Sequence, residues 1–173
     1  MAIVSNQSGI HSDLAGVVEK HLRSNFRKPV QTFNRQAFEL AMEQADQHGG
    51  RLIFDSCCGV GESTVKLAEM FPGSFVMGMD KSAVRIDSSK YYTRLSGSGS
   101  GNFIIFRADV IDFWRLAVEA QIKLTRHFLL YPNPWPKKKR LTHRWYAHPV
   151  FPALLKLGGI LIVRSNWKLY LKE

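Results

Sequence analysis

Apolar residues follow one rhythm up to about residue 48 and another beyond it. In the first part they recur at helical spacing. Leu14, Val17, Val18, His21 and Leu22 share one side of a first helix, and Phe38, Ala41, Met42 and Ala45 share one side of a second. Ser12-Asp13 offers side-chain oxygens to cap the first helix, and Pro29 closes that segment. Asn34 offers a cap for the second, which runs to about residue 47 and stops at Gly49-Gly50. From residue 51 the chain switches to short apolar blocks, at 51–54, 74–79, 103–106, 127–131 and 160–163. Between them lie segments of helical character at 62–71, 82–95, 112–121 and 150–157. Pro72 ends the first of these and Gly158-Gly159 turns the chain after the last. Apolar strands without polar alternation are buried on both faces, so the expected fold is α/β, a doubly wound, mostly parallel sheet with N-terminal helices. Residues 1–173 read as a single domain, with 1–48 as a helical extension within it. The Gly/Ser stretch 96–101 is expected to be a flexible loop rather than a boundary, because strand–helix alternation continues across it.

Charge narrows the function. Lys and Arg number 24 against 14 Asp and Glu, a net charge of +10 that favours an anionic partner. Nucleic acid is the first candidate, an acidic membrane surface the second, and a basic surface without a partner the third. Cys57 and Cys58 are the only cysteines and are adjacent, which rules out a disulfide framework and suits a reducing, cytoplasmic setting. No Cys/His cluster has zinc-like spacing, so no metal is expected and the two thiols read as small loop residues. Residues 1–10 lack a basic segment leading into an apolar core, and no apolar run reaches membrane-spanning length.

Two loops carry the candidate chemistry. Asp55-Ser56-Cys57-Cys58-Gly59-Val60-Gly61-Glu62 follows the first strand and opens a helix. Gly59 and Gly61 let the backbone approach a ligand, and Asp80 closes the second strand where a carboxylate can accept ribose hydroxyls. The three-glycine pyrophosphate fingerprint is absent, and Asp55 would repel pyrophosphate. A carboxylate there suits a cofactor with an ammonium and a sulfonium, such as S-adenosyl-L-methionine. Asp109 ends the third strand, where it can meet an adenine amino group or cap the following helix. The second loop is Tyr131-Pro132-Asn133-Pro134-Trp135-Pro136-Lys137-Lys138-Lys139-Arg140. Three prolines stiffen it, Asn133 offers an amide, Trp135 a stacking face and the four cations a phosphate track. A solvated charge run is the plain alternative, and Arg23, Arg27, Lys28 and Arg35 would extend an RNA track or simply coat a helix. Trp145, Tyr146 and Trp167 read as core aromatics first and base-stacking groups second.

With both loops in place the sequence resembles the tRNA (guanine-N7-)-methyltransferase family, from about residue 51 to 172. The most specific element is Pro132-Asn133-Pro134-Trp135-Pro136-Lys137-Lys138, against a family pattern P-D-P-W-P-K-K; His143, Arg144, Pro149 and Phe151 also stand at family-like places. The resemblance implies a Rossmann-like sheet, S-adenosyl-L-methionine as cofactor and tRNA as partner, with no obligate protein partner evident. It places cofactor contacts on Asp55, Asp80, Asp109 and Asn133, beside the loop residues Cys57, Gly59 and Gly61. It places the catalytic role on Asn133 and substrate contacts on Lys137, Lys138, Lys139, Arg140, His143, Arg144 and Asn166. Three departures stand out: Asn133 for the family's aspartate, Ser165-Asn166 for Thr-Asp, and Cys57 for the first glycine of the cofactor loop. The family continues with two more strands and a T-x-x-E segment, so a divergent or C-terminally shortened member is expected. The Asn-Pro-Trp order also has a likeness to the (D/N)-P-P-(Y/W) loop of base amino-methyltransferases, with Trp and Pro interchanged. Methylation of an exocyclic amine, or RNA binding without catalysis, are the alternative functions.

Overall fold

A computed structural model describes residues 3–95 and 101–173. Among these residues five strands form one sheet in the order β3-β2-β1-β4-β5, every pairing parallel. They are β1 (Arg51–Ser56), β2 (Ser74–Asp80), β3 (Phe103–Arg107), β4 (Leu124–Leu130) and β5 (Ile160–Arg164). The helices are α1 (Leu14–Arg23), α2 (Thr32–His48), α3 (Glu62–Met70), α4 (Ala83–Leu95), α5 (Val110–Glu119), α6 (Phe151–Lys156) and α7 (Lys168–Lys172). Two 3₁₀ segments, Lys138–His143 and Trp145–Ala147, fill the connection from β4 to α6. The doubly wound parallel architecture is as the pattern of apolar blocks predicts.

Alternation within the strands decides which helix covers which face. Phe54, Phe75, Met77 and Met79 pack with Ala41 and Ala45 of α2, Phe113, Trp114 and Ala117 of α5, and Leu154 of α6. Ile53 and Val76, one residue out of phase, pack with Leu67 and Ala68 of α3. The approach of α3 depends on Gly78: a Cβ there would lie 2.2 Å from Thr64 Oγ1. Because both faces are covered, blocks such as Ser74–Asp80 are buried at every position.

Local readings shift where long-range contacts intervene. Asn34 is not a cap: α2 starts at Thr32, and the buried Asn34 side chain donates to Asp112 Oδ2 at 2.7 Å and accepts from Asp109 N at 2.9 Å. Asp109 rather than Asp112 opens α5, accepting from Ile111 N at 3.0 Å. Asp13 precedes α1 without capping it through its side chain. β4 begins three residues before His127 and ends at Leu130. Thr125 Oγ1 donates to Leu52 O at 3.1 Å and the Arg126 guanidinium carbon lies 4.6 Å from the Phe71 ring centroid, so both polar side chains of the strand have partners. The expected loop 96–101 lies, except for Gly101, outside the described residues. Among the described residues no helix is long and apolar enough to cross a membrane.

Candidate active site

Chain crossovers leave β1 towards β2 and leave β4 towards β5, on opposite sides, so the strand order reverses between β1 and β4. At such a point the loops beyond the carboxyl ends diverge and open a crevice. The loop 57–61 and the loop 131–137 are the two that leave β1 and β4.

Asp55 is wholly buried at the end of β1. Its Oδ2 accepts from Ser63 Oγ at 2.5 Å and Thr64 Oγ1 at 2.7 Å, both on α3, whereas its Oδ1 is buried with no hydrogen-bond partner. Burial raises its pKa, opposed by the two hydroxyl donors. The chain then turns through left-handed backbone at Cys57 (φ 63), Gly59 (φ 62) and Gly61 (φ 80). Cys57 therefore keeps the conformation that a glycine would take freely. Open space surrounds the position of an added Cβ at Gly59; at Gly61 that atom would lie 2.5 Å from Ile105 Cδ1, so this glycine admits the sheet edge to the helix start. Cys57 is pushed up to about 12 by burial and then by the carboxylates of Asp80, Asp109 and Asp55. Of these carboxylates Asp80 reaches the turn directly, through Gly59 N, and the thiol stays protonated and non-nucleophilic.

Asp80 is buried at the end of β2. Its Oδ1 accepts from Ser82 N at 2.8 Å and its Oδ2 from Gly59 N at 3.2 Å, with Arg85 Nη1 at 3.5 Å. A carboxylate has about four acceptor sites, so these bonds fix its orientation and leave capacity for a ligand hydroxyl. Asp109 has the helix-capping role already described, and Asn34 locks it to α2.

Across the crevice, Asn133 is exposed and its Oδ1 accepts from Trp135 N at 3.3 Å. His143 lies 4.8 Å from the Trp135 ring centroid, the Arg140 guanidinium carbon lies 5.8 Å from it, and Arg140 Nη1 lies 3.2 Å from His143 Nε2. Lys137, Lys138, Lys139, Arg140 and His143 are all exposed. Arg144 is not: it is fully buried, and its Nε, Nη1 and Nη2 donate to Trp135 O, Glu173 Oε2 and Gln7 Oε1. Asn166 is exposed beyond β5. Trp167 is buried under Arg144, and Trp145 packs on Trp114 at 4.9 Å. A cavity of about 550 Å³ is lined by Trp135, His143, His148, His21, Lys81 and Ile111, among others. Lys81 follows Asp80 and Ile111 lies two residues after Asp109, so the wall opposite the tryptophan loop is built by residues next to two of the strand-end carboxylates. Burial, followed by His21, lowers His148 to about 4, leaving a neutral imidazole at pH 7.

Sequence reading did not anticipate Ser63, Thr64, Lys81 or His148, and it took Asn34 for a helix cap and His21 for part of a helix face. Ser63 and Thr64 carried a weak signal, lying in the first turn of the helix that the glycine loop opens; Lys81 and His148 carried none.

A sequence family described as "Putative methyltransferase" matches residues 50–173. This chain belongs to that methyltransferase family. The tRNA (guanine-N(7)-)-methyltransferase of Pseudomonas paraeruginosa is 29% identical over 121 residues, covering 68% of this chain and 48% of that protein. The same-named protein of Bordetella pertussis is 30% identical over 116 residues, covering 65% and 44%. The chain spans about half the length of these curated relatives. Two solved methyltransferases share the fold. The antibiotic-resistance methyltransferase Kmr has a TM-score of 0.52 at 23% identity, covering 73% of this chain and 67% of its own. The aminoglycoside resistance methyltransferase NpmB1 has a TM-score of 0.54 at 20% identity, covering 74% and 61%. The family match includes both loops of the crevice, the glycine turn and the tryptophan loop.

Proposed function

We propose that this chain binds S-adenosyl-L-methionine in the crevice between β1 and β4 and transfers its methyl group to N7 of a guanine in tRNA. The observation that carries the cofactor assignment is Asp55 Oδ1, a buried acceptor without a partner at the mouth of a glycine turn. Such a group costs about 1–3 kcal/mol unless a donor reaches it, and the ammonium of the cofactor's amino-acid end is such a donor. Asp80 offers its remaining acceptor sites to the ribose, while Gly59 leaves space for the ligand chain. Asp109, whose backbone N–H donates to Asn34, stands two residues before Ile111, which lines the cavity. The cofactor supplies an electrophilic methyl group on a sulfonium.

The chain's own residues then hold and orient the base. Guanine N7 carries a lone pair, so no general base is required, and alignment with a polar surround for the cation formed on the ring accounts for the chemistry. Asn133 presents an amide dipole at the loop, Trp135 an aromatic face, and Lys137, Lys138, Lys139, Arg140 and His143 an exposed cationic track for phosphates. The names of the relatives support tRNA and the N7 position. A cytoplasmic site of action follows from that substrate.

The deciding experiment is single-turnover transfer from labelled cofactor to unmodified tRNA, followed by nucleoside analysis. Labelled 7-methylguanosine is expected, and Asn133→Asp is expected to raise the rate, because a carboxylate stabilises positive charge on the ring more strongly than a dipole does. Label on an exocyclic amine, lost in Asn133→Asp, replaces N7 with an amino-methyltransferase activity. Tight RNA binding without label in either variant leaves an RNA-binding protein without catalysis.

A further inference from the structure

The loop 131–138 contains two non-glycine residues in left-handed backbone, Tyr131 (φ 52) and Trp135 (φ 47). Conformations of this kind persist only where surrounding contacts over-determine them. Prolines do not supply this: each fixes its own φ, and Pro132 and Pro136 bias the preceding Tyr131 and Trp135 towards extended backbone, away from the conformation they hold. Trp135 N is held locally by Asn133 Oδ1, whereas four other main-chain groups of the loop bind partners farther away in the chain. Ser5 Oγ donates to Pro136 O at 2.7 Å, and Lys138 N donates to Asn6 Oδ1 at 3.1 Å. Arg144 Nε donates to Trp135 O at 3.2 Å, and Tyr131 N donates to Arg164 O at 2.8 Å.

These contacts are tied together from behind. Arg144 Nη2 donates to Gln7 Oε1 at 2.8 Å and Nη1 to Glu173 Oε2 at 2.6 Å. Gln7 Nε2 and His11 N donate to Glu173 Oε1 at 2.6 and 2.8 Å, and the Tyr146 hydroxyl donates to Glu173 Oε2. The side chains of Arg144 and Glu173 are both 0% exposed, so neither can meet RNA while the network stands. Three consecutive residues, Ser5, Asn6 and Gln7, therefore grip the loop at Pro136, at Lys138 and, through Arg144, at Trp135.

We propose that Ser5, Asn6 and Gln7, with Arg144 and Glu173, form a clamp that holds the tryptophan loop in its strained shape and so positions Asn133 and Trp135 against the substrate base. This rests on the reading of that loop as the reacting side of a methyltransferase crevice. Arg144 is a positioning residue rather than an RNA contact. Its fork of fixed donors meets three acceptors at once, a task lysine cannot perform. Asn6 gives the cleanest perturbation because it is exposed and contributes one acceptor to one loop amide.

Amide hydrogen exchange and single-turnover kinetics on the full chain test the clamp. In Asn6→Ala the Lys138 amide should exchange roughly tenfold faster, while amides of β1 and β2 keep their protection. Methyl transfer at saturating tRNA and cofactor should fall by roughly tenfold, with S-adenosylhomocysteine affinity unchanged. Asn6→Asp, which keeps the acceptor, should restore both; Ser5→Ala, which removes the donor to Pro136 O, should likewise speed exchange at the neighbouring Lys137 and Lys138 amides. Wild-type exchange across the loop in both alanine variants overturns the clamp. Faster exchange with an undiminished rate overturns its positioning role. If the wild-type chain transfers no methyl group, the functional reading fails, and the exchange result alone still decides whether residues 5–7 clamp the loop.

Discussion

Asp55→Asn should weaken cofactor binding while strengthening the unliganded fold, two effects of opposite sign from one atom. Asn retains an oxygen for Ser63 Oγ and Thr64 Oγ1, the donors now 2.5 and 2.7 Å from Oδ2, so the anchor to α3 survives. The exchange replaces Oδ1, a buried acceptor without a partner, by a neutral amide nitrogen. An ammonium meeting Oδ1 makes a hydrogen bond to a charged group, about 1.5–3 kcal/mol, which corresponds to an affinity loss of about 10- to 150-fold. Removing a buried charge relieves desolvation, partly offset because the new NH₂ also lacks a partner; a gain of about 1 kcal/mol is expected. The pH dependence has a definite sign. Burial raises the folded pKa of Asp55, so its contribution to stability is fully present below the unfolded value of 3.8 and is lost as pH rises through the folded value. Cofactor affinity runs the other way, rising across that window as the carboxylate ionises, and the Asn variant should flatten both slopes. Titration calorimetry with S-adenosylhomocysteine and urea unfolding, each from pH 4 to 8, measure the two effects. Unchanged affinity in Asp55→Asn would refute the assignment of Oδ1 to the cofactor, whatever happens to stability.

Other perturbations separate surface charge from structural charge. Lys138→Ala/Lys139→Ala/Arg140→Ala should lower the slope of log K against log salt for tRNA binding by roughly 0.7–0.9 for each cation that contacts phosphate; an unchanged slope makes the run a solvated loop. Glu173→Gln should cost about 3–5 kcal/mol by urea unfolding, because it strands the buried Arg144 charge. Burial pushes the Glu173 carboxyl up, but bonds from Tyr146, His11, Gln7 and Arg144 outweigh it and the net shift is downward. Its stabilisation is therefore present above the unfolded value of 4.5 and lost as pH falls through the folded one, and an acid limb of unfolding unaltered in Glu173→Gln would contradict this. His127 and His148 are lowered by burial to about 3 and about 4, so stability should decline as pH falls below their unfolded value of 6.5; equal urea midpoints at pH 7 and 5 would contradict that.

Much of this protein follows from residues close together in sequence. The non-alternating apolar blocks point to a parallel sheet covered on both faces, which β2 meets at every position, whereas β5 at the sheet edge leaves Ile160 and Leu161 exposed. Gly59 and Gly61 announce a tight turn at the end of β1, and the prolines and cations around Trp135 announce a stiff, basic loop at the end of β4. Such features are local: a turn, a period or a charge run is read within one stretch of chain. What only the tertiary structure decided is where side chains meet across long separations. Asn34 reads locally as a helix cap, yet it bridges Asp109 and Asp112, 75 and 78 residues away. Arg144 reads locally as the last member of a cationic run, yet it turns inward to Glu173 and Gln7, and Ser5 reaches Pro136 across 131 residues. An arginine after a basic segment has the same local sequence whether it faces RNA or the interior. The choice belongs to folding, because a buried guanidinium is tolerated only where acceptors from other parts of the chain are delivered to all its donors.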